Sequence, residues 1–360
     1  MKKIMAMVVA CTTSLLCVAC GGVTANTDTN TNANYTVTFM QDGNELASYS
    51  VKSGTLLSTL QNVPVPQQPT DTTLVAEWSY DKESKCTADM TIETTVYTSG
   101  LQFYSYYSGE VNAKGYEVAA GYEGTAEHIV IPDYYKGLPV LKIADKAFDG
   151  SAEGNYSIKK VTLPDTLVEI GNQAFNRCKA LTDLEIPSSL RSLGTNVFYE
   201  VPLSGTLTLS GEIEVIPSRC FQGTRYSKVV LEEGITELGA HCFTMGYTLE
   251  TVILPKSIQK IDAVAFWLQP VEKFFYAGTE DDWIFVEISS SKYPNEADRD
   301  NLESYLEKGT AGAIRGTPEK DENGNRITKV VYPTLYFYSE TKPTGEGNFW
   351  HFSGGQPAIW

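Results

Sequence analysis

The chain has 360 residues, with 28 lysines and arginines against 44 aspartates and glutamates, which gives a net charge of −16 at neutral pH. Such a negative field repels nucleic acid and anionic membrane surfaces, so it argues against binding through a basic patch. Seven cysteines do not make a disulfide-dense scaffold, and a chain of this length can bury a core without one.

The N-terminus has the pattern of a secretory leader. Two lysines precede an apolar stretch from Ile4 to Val18, which is short for a transmembrane helix. The residues Cys17-Val-Ala-Cys20 resemble a bacterial lipobox, with cysteine at a position where leucine is usual. This resemblance implies a lipoprotein signal peptide over residues 1–19 and a lipid on Cys20, the first residue of the mature protein. Ordinary cleavage after Ala25 is the alternative.

Residues 20–34 consist mainly of threonine, asparagine, alanine and glycine. A segment of this composition cannot bury enough apolar surface to offset the entropy lost on ordering. We therefore expect a polar tether that holds the folded part away from a membrane.

Residues 35–98 are predicted to form a small β-rich domain. Alternating apolar residues and turn signals predict four strands, with an Asp42-Gly43 turn between the first two. The strands are expected at Tyr35–Phe39, Leu46–Val51, Leu74–Trp78 and Met90–Val96. Their order resembles the β-grasp repeats of bacterial surface proteins such as internalins. An unrelated small β domain that acts as a spacer is the alternative.

One motif then recurs six times between residues 129 and 266. Each copy starts with an alternating segment, such as Val161–Pro164, and ends with a small residue followed by phenylalanine. The last five of these phenylalanines lie 22 or 23 residues apart, a period typical of solenoids. One unit cannot bury its own apolar side, so stacked units must cover one another.

The copy from Pro164 to Cys178 reads Pro-x-x-Leu-x-x-Ile-Gly-x-x-Ala-Phe-x-x-Cys. It resembles the leucine-rich repeat of BspA-like bacterial surface proteins. The resemblance implies a repeat solenoid of leucine-rich repeats with short parallel strands over residues 101–290, including an N-terminal hairpin. Some copies depart from the motif, with Ser210 and Glu232 in place of proline.

Residues 291–360 are predicted to cap the final coil, because an uncovered strand edge would invite pairing with another chain. We expect a helix at Glu296–Lys308, a turn at Asp321–Gly324 and a strand at Val330–Ser339.

The recurrent phenylalanines are predicted to point inward as a structural ladder. They are Phe148, Phe175, Phe198, Phe221, Phe243 and Phe266. Cys220 and Cys242 occupy the small position before two of them. Adjacent coils lie close enough for a disulfide, but a buried structural cysteine explains the position equally well.

Strand alternation also predicts which side chains point outward. One outward column holds Val130, Thr162, Glu185, Thr208, Val230, Ile253 and Phe275, and the neighbouring column holds His128, Lys160, Asp183, Thr206, Lys228, Thr251 and Lys273. The first column is apolar towards the C-terminus, so Val230, Ile253 and Phe275, beside Lys228 and Lys273, form the candidate binding face. Alternatively, β-branched residues simply stack well there, or the C-terminal region covers them.

No sequence pattern typical of catalysis or cofactor binding is present. The three histidines lie far apart, and His241 adjoins Cys242, which should face the core. The segment Asp321-x-Asn323-x-Asn325 lacks the glycine that a calcium loop has at its sixth position. We therefore expect a protein without enzyme activity, metal or cofactor.

The resemblance implies an extracytoplasmic, surface-exposed lipoprotein, attached to the cell membrane or outer membrane through its N-terminal lipid. Its solenoid would offer an extended face to a protein or glycan of a host or neighbouring cell, in adhesion or recognition. A structural envelope-associated protein without a specific ligand is one alternative. A secreted hydrolase that uses the C-terminal region is another.

Overall fold

The structure is a computed structural model, which describes residues 33–151, 157–289, 314–320, 326–331 and 333–360. Outside these residues lie the predicted signal peptide, Cys20, nearly all of the tether, the helix predicted at Glu296–Lys308 and the turn predicted at Asp321–Gly324. The described part is built mainly from short β-strands. No helix in it is long and apolar enough to span a bilayer.

A small four-stranded sheet comes first. Its strands are β1 (Asn34–Gln41), β2 (Asn44–Lys52), β3 (Leu74–Trp78) and β4 (Met90–Thr98), in the order β2-β1-β4-β3. The β1–β2 hairpin turns at Asp42-Gly43, where both residues have positive φ. β4 runs parallel to β1 and antiparallel to β3. Phe39 is fully buried and meets the rings of Tyr49, Trp78 and Tyr80 edge-on. The β-grasp resemblance of this sheet stays a prediction.

The solenoid follows as coils of short parallel strands. Its elements are β5 (Phe103–Ser108), β6 (Ala113–Val118), β7 (His128–Val130), β8 (Tyr134–Tyr135), β9 (Leu138–Ile143), β10 (Lys160–Thr162), β11 (Glu169–Ile170), β12 (Asp183–Leu184), β13 (Ser192–Leu193), β14 (Ser204–Leu209), β15 (Val215–Ile216), β16 (Arg225–Leu231), β17 (Glu237–Leu238), β18 (Thr251–Leu254), β19 (Lys260–Asp262), β20 (Lys273–Tyr276), α1 (Glu280–Trp283) and β21 (Glu287–Ser289).

Each full coil contributes to three faces. The first strand face contains the parallel series β7-β10-β12 and β14-β16-β18-β20, and the second contains β9-β11-β13 and β15-β17-β19-β21. The turn face consists of residues 145–151, 172–178, 195–201, 218–224, 240–246 and 263–268. Backbone bonds join its coils as well, since the N–H of Phe198 donates to the carbonyl of Cys220 at 2.8 Å.

A column of stacked phenylalanines fills the interior, as the repeat pattern predicts. All six rings are at most 2% exposed. Successive ring centroids lie 5.2, 5.6, 5.4, 5.4 and 5.6 Å apart along the column. The column ends against Tyr122 on one side and Phe274 on the other. Each ring therefore excludes water from its neighbours.

The small sheet covers the N-terminal edge of the solenoid. Tyr97, near the end of β4, belongs to the solenoid core and meets Phe103 edge-on. The adjacent Thr98 is fully buried, and its hydroxyl accepts from the N–H of Val130 at 2.7 Å and donates to the carbonyl of His128 at 3.4 Å. These bonds satisfy polar groups of the first-face strand β7 that has no coil before it.

The C-terminal region extends the first strand face at the other end. Its strands are β22 (Ile314–Lys320), β23 (Arg326–Val331), β24 (Thr334–Tyr338), β25 (Phe349–Ser353) and β26 (Gln356–Ile359). β24 adds to β20 in parallel, followed by β25 and β26, so these strands continue the sheet beyond the final coil.

The single strand predicted at Val330–Ser339 is wrong. β23 pairs with β22 as a separate hairpin, whereas β24 belongs to the solenoid sheet. Pro333 lies between them and lacks the N–H that a continuous ladder requires.

Phe198→Ala should lower the free energy of unfolding by about 3–5 kcal/mol, because it removes a buried ring and leaves a cavity between two coils. Urea denaturation followed by circular dichroism measures this loss. Val215→Ala, at a position that is 42% exposed on β15, is the control and should change stability little. Equal stability of the two variants would contradict the structural role of the phenylalanine column.

Candidate functional site

The first strand face aligns the C-terminal half of the predicted outward column. Thr208, Val230, Ile253 and Phe275 are successive partners across β14, β16, β18 and β20. The register predicted from side-chain alternation is thus correct in this half. Further towards the N-terminus, Val130 pairs with Thr162 in the separate β7-β10-β12 series.

The candidate binding face is closed, which corrects the prediction of an exposed apolar strip. Ile253 is 6% exposed and Phe275 is 4% exposed, because Trp350 of β25 covers both. The Trp350 ring lies 5.3 Å from that of Phe275, and its indole N–H donates to the carbonyl of Tyr276 at 2.8 Å. The alternative, in which the C-terminal region covers the strip, is the correct one.

The flanking residues of this face also border the C-terminal region. The Lys228 ammonium donates to the side-chain oxygen of Gln356 at 2.9 Å. Lys273 is the partner of Thr334 across β20 and β24, and Val230 is partly buried against the covered cluster. The predicted binding face therefore packs against the C-terminal region of the same chain.

Trp350→Ala should release the C-terminal strands, because it removes a fully buried indole together with its hydrogen bond. We expect a loss of about 3–5 kcal/mol in local stability. Limited proteolysis with mass spectrometry should then cut residues 334–360 faster than in the parent protein.

The matched control is Trp360→Ala, at an indole that is 38% exposed. This variant should keep nearly the parental resistance. If both variants resist protease equally, Trp350 is not the residue that holds the cover in place.

The four cysteines of the described chain are free thiols. Cys220 and Cys242 are fully buried and do not form the disulfide that the sequence left open. Burial raises the pKa of both thiols, and it raises the pKa of Cys178 to about 12. These thiols therefore stay protonated at neutral pH and act as core residues. Across the described residues, no cluster of three His, Cys, Asp or Glu side chains could hold a metal ion.

The raised pKa of Cys178 predicts a loss of stability at alkaline pH. The buried neutral thiol contributes fully to the free energy of unfolding below the ordinary thiol pKa of about 8.5. This contribution is lost as pH rises towards 12, because the thiol of the unfolded chain ionises first. In Cys178→Ala, the free energy of unfolding should fall less steeply above about pH 8.5, as measured by urea denaturation under reducing conditions.

A control separates this effect from the loss of packing. Val201→Ala, also at a fully buried position, should lower stability by an amount independent of pH. Parallel pH profiles for the parent protein and Cys178→Ala would contradict the raised pKa.

A groove of about 640 Å³ crosses the turn face. One wall is formed by residues two positions before the phenylalanines, and the floor by residues one position after them. The wall residues are Gln173, Asn196, Arg219 and His241, and the floor residues are Asn176, Tyr199, Gln222 and Trp267. Asp149, Ser151 and Arg177 complete one end. We call this site the turn-face groove.

The four wall residues share an unusual backbone conformation. All four have φ between 55° and 60°, in the left-handed region. The stacked turns impose this conformation, since the N–H groups of Gln173 and Arg219 donate to carbonyls of the next coil at 2.9 Å. A non-glycine residue in this region costs about 1–2 kcal/mol, and asparagine or glycine adopts it most readily. Glutamine, arginine and histidine are therefore not the residues that the turn alone would favour.

The electrostatics of the groove are balanced. Arg177 lies 3.6 Å from Glu200, and the amide of Asn176 donates to the Asp149 carboxylate at 2.8 Å. Burial, and then the charge of Arg219, lowers the pKa of His241, which is therefore neutral at neutral pH. The site thus offers hydrogen-bonding groups with little net charge.

Gln222 lies at the centre of the floor. It is 8% exposed, and its amide nitrogen approaches the Met245 sulfur at 3.0 Å, a weak acceptor. Its side-chain oxygen is buried and has no hydrogen-bond partner within the described structure. Gln222 and Tyr199 also line an adjoining groove of about 340 Å³ that continues past Arg225.

The sequence did not predict this groove, because the alternation of side chains along the strands points only to the strand face. The available signal was the series of planar polar and aromatic residues at the two positions flanking successive phenylalanines. The repeat motif does not require these residue types.

Comparison with known proteins identifies the repeats. Residues 141–270 match the BspA type leucine rich repeat region in six copies. This part of the chain is therefore a BspA-type leucine-rich repeat solenoid. No curated protein matches the chain.

Three solved structures are similar to the chain. A leucine rich cell surface protein from Faecalibacterium prausnitzii has 22% identity and a TM-score of 0.40, over 68% of this chain and 63% of that protein. A T. pallidum leucine rich repeat protein has 23% identity and a TM-score of 0.32, over 48% and 68%. A Bacteroides ovatus leucine-rich repeat protein has 19% identity and a TM-score of 0.33, over 54% and 52%.

Proposed function

From the BspA-type leucine-rich repeat region over residues 141–270, we propose that this protein is a cell-surface lipoprotein that binds a protein or glycan ligand. The ligand would belong to a host or neighbouring cell. Membrane attachment would come from a lipid on Cys20, and the tether over residues 20–34 would hold the folded part outward.

The observation that carries the binding role is the turn-face groove. Solenoids typically use extended surfaces for recognition, since side chains from successive repeats combine into one site. Here six successive turns each contribute polar or aromatic side chains to a single concave surface. Within these turns, the buried phenylalanines and the small residues before them pack the core beneath the groove.

The covering of the first strand face is a second reason to place the binding site on the turn face. In its C-terminal half, the apolar positions are occupied by Trp350 and its neighbours. The turn face, in contrast, keeps Arg177 exposed at one end of the groove and Met245 exposed beside it.

A binding screen tests the proposal with the mature chain, residues 20–360 carrying Cys20→Ser. We expect it to bind a component of an array of polysaccharides and host matrix proteins, and to compete with that component when bacteria attach to it. Retention of no array component at all would overturn the binding role.

A second experiment tests membrane anchoring with the protein as the native cell produces it. Mass spectrometry of the mature N-terminus should find a lipid-modified Cys20. An unmodified N-terminus at Asn26 would show ordinary cleavage and a released protein, and so would remove the anchoring part of the proposal.

A further inference from the structure

We propose that the turn-face groove binds an uncharged oligosaccharide chain that lies along the solenoid axis. This inference rests on the proposed function, because it names the site and the ligand class of that binding protein. It excludes a protein partner at this site.

The composition of the groove favours sugar over protein. Among the described residues that line it there is no aliphatic side chain. Protein interfaces have an apolar, well-packed centre, which this surface lacks. Sugar hydroxyl groups pair with amide and guanidinium groups, and the C–H faces of sugar rings pack on aromatic rings such as those of Tyr199 and Trp267.

The charge balance favours an uncharged chain. The Arg177 guanidinium already faces Glu200, and Asp149 stands at the same end of the groove. An acidic glycan would meet these carboxylates within a chain whose net charge is −16.

The coil spacing suits a polymer. Successive phenylalanine rings beneath the groove are 5.2–5.6 Å apart, so equivalent wall residues recur at about this interval. An extended chain of pyranose sugars advances by a similar distance per residue. Each sugar would therefore meet one new coil, with Asn196, Arg219 and His241 in succession along the wall.

Gln222 gives an independent indication of a ligand. It is more than nine-tenths buried, and its side-chain oxygen lacks a hydrogen-bond donor. A buried polar atom without a partner destabilises the folded protein. A sugar hydroxyl can donate to this oxygen once the amide turns towards the groove, so binding would satisfy it.

The test measures binding of soluble polysaccharides to the mature chain, residues 20–360 with Cys20→Ser, by affinity electrophoresis and calorimetry. The neutral probes are mannan, xyloglucan, galactan and laminarin, and the acidic probes are polygalacturonate and hyaluronan. We expect a neutral probe to bind. Tyr199→Ala and Arg219→Gly should each weaken it about tenfold or more.

Two matched variants serve as controls. Tyr107→Ala removes a tyrosine that is 55% exposed on the β5–β6 hairpin, outside the groove. Lys146→Gly changes the repeat-equivalent residue of the first coil, which also has a left-handed φ of 58° and does not line the groove. Both should bind like the parent. Arg219→Gly should keep the parental melting temperature, because glycine adopts this conformation without strain.

The outcomes separate the inference from the proposed function. Binding that Tyr199→Ala and Arg219→Gly leave unchanged would overturn the groove as the site, and binding of acidic probes alone would overturn the uncharged ligand. If no polysaccharide binds but a protein does, the ligand class is wrong and the binding role stands. If neither binds, both proposals fail.

Discussion

The stacking of one coil on the next is the interaction on which the rest of this structure depends. A single coil has an apolar side that it cannot bury, and the next coil covers it. The phenylalanine column shows this most directly, with nearly parallel rings from Phe148 to Phe266. Because the backbone ladders repeat on three faces, the position of each turn is fixed by its neighbours.

Stacking leaves two uncovered ends, and the chain treats them differently. At the N-terminal end, the hydroxyl of Thr98 replaces the backbone partners that a preceding coil would supply to β7. At the C-terminal end, β24 to β26 continue the sheet, and Trp350 folds over its outer side. Covering the C-terminal end therefore also covers the apolar part of the first strand face.

The repeat signal made the solenoid predictable from the sequence. The same residue type recurs at each inward position in several repeats. The phenylalanine ladder and the strand register could therefore be derived without a structure. The cover by Trp350 could not be, because this residue contacts Phe275 across about 75 positions of chain and follows no period. The same limit applies to the groove, since residues at the variable positions carry no shared motif to compare.

The turn-face groove is formed by positions that the repeat motif leaves variable. Within each turn, the small residue and phenylalanine maintain the stack, which leaves the residues beside them free to vary without loss of the fold. The backbone there is held in the left-handed region by hydrogen bonds to the next coil, so a side chain such as Arg219 projects from a rigid support. A rigid support lowers the entropy lost when a ligand is bound. Coils that are nearly identical in backbone can therefore differ in chemistry along the axis, and this property makes a stack of coils a recognition surface.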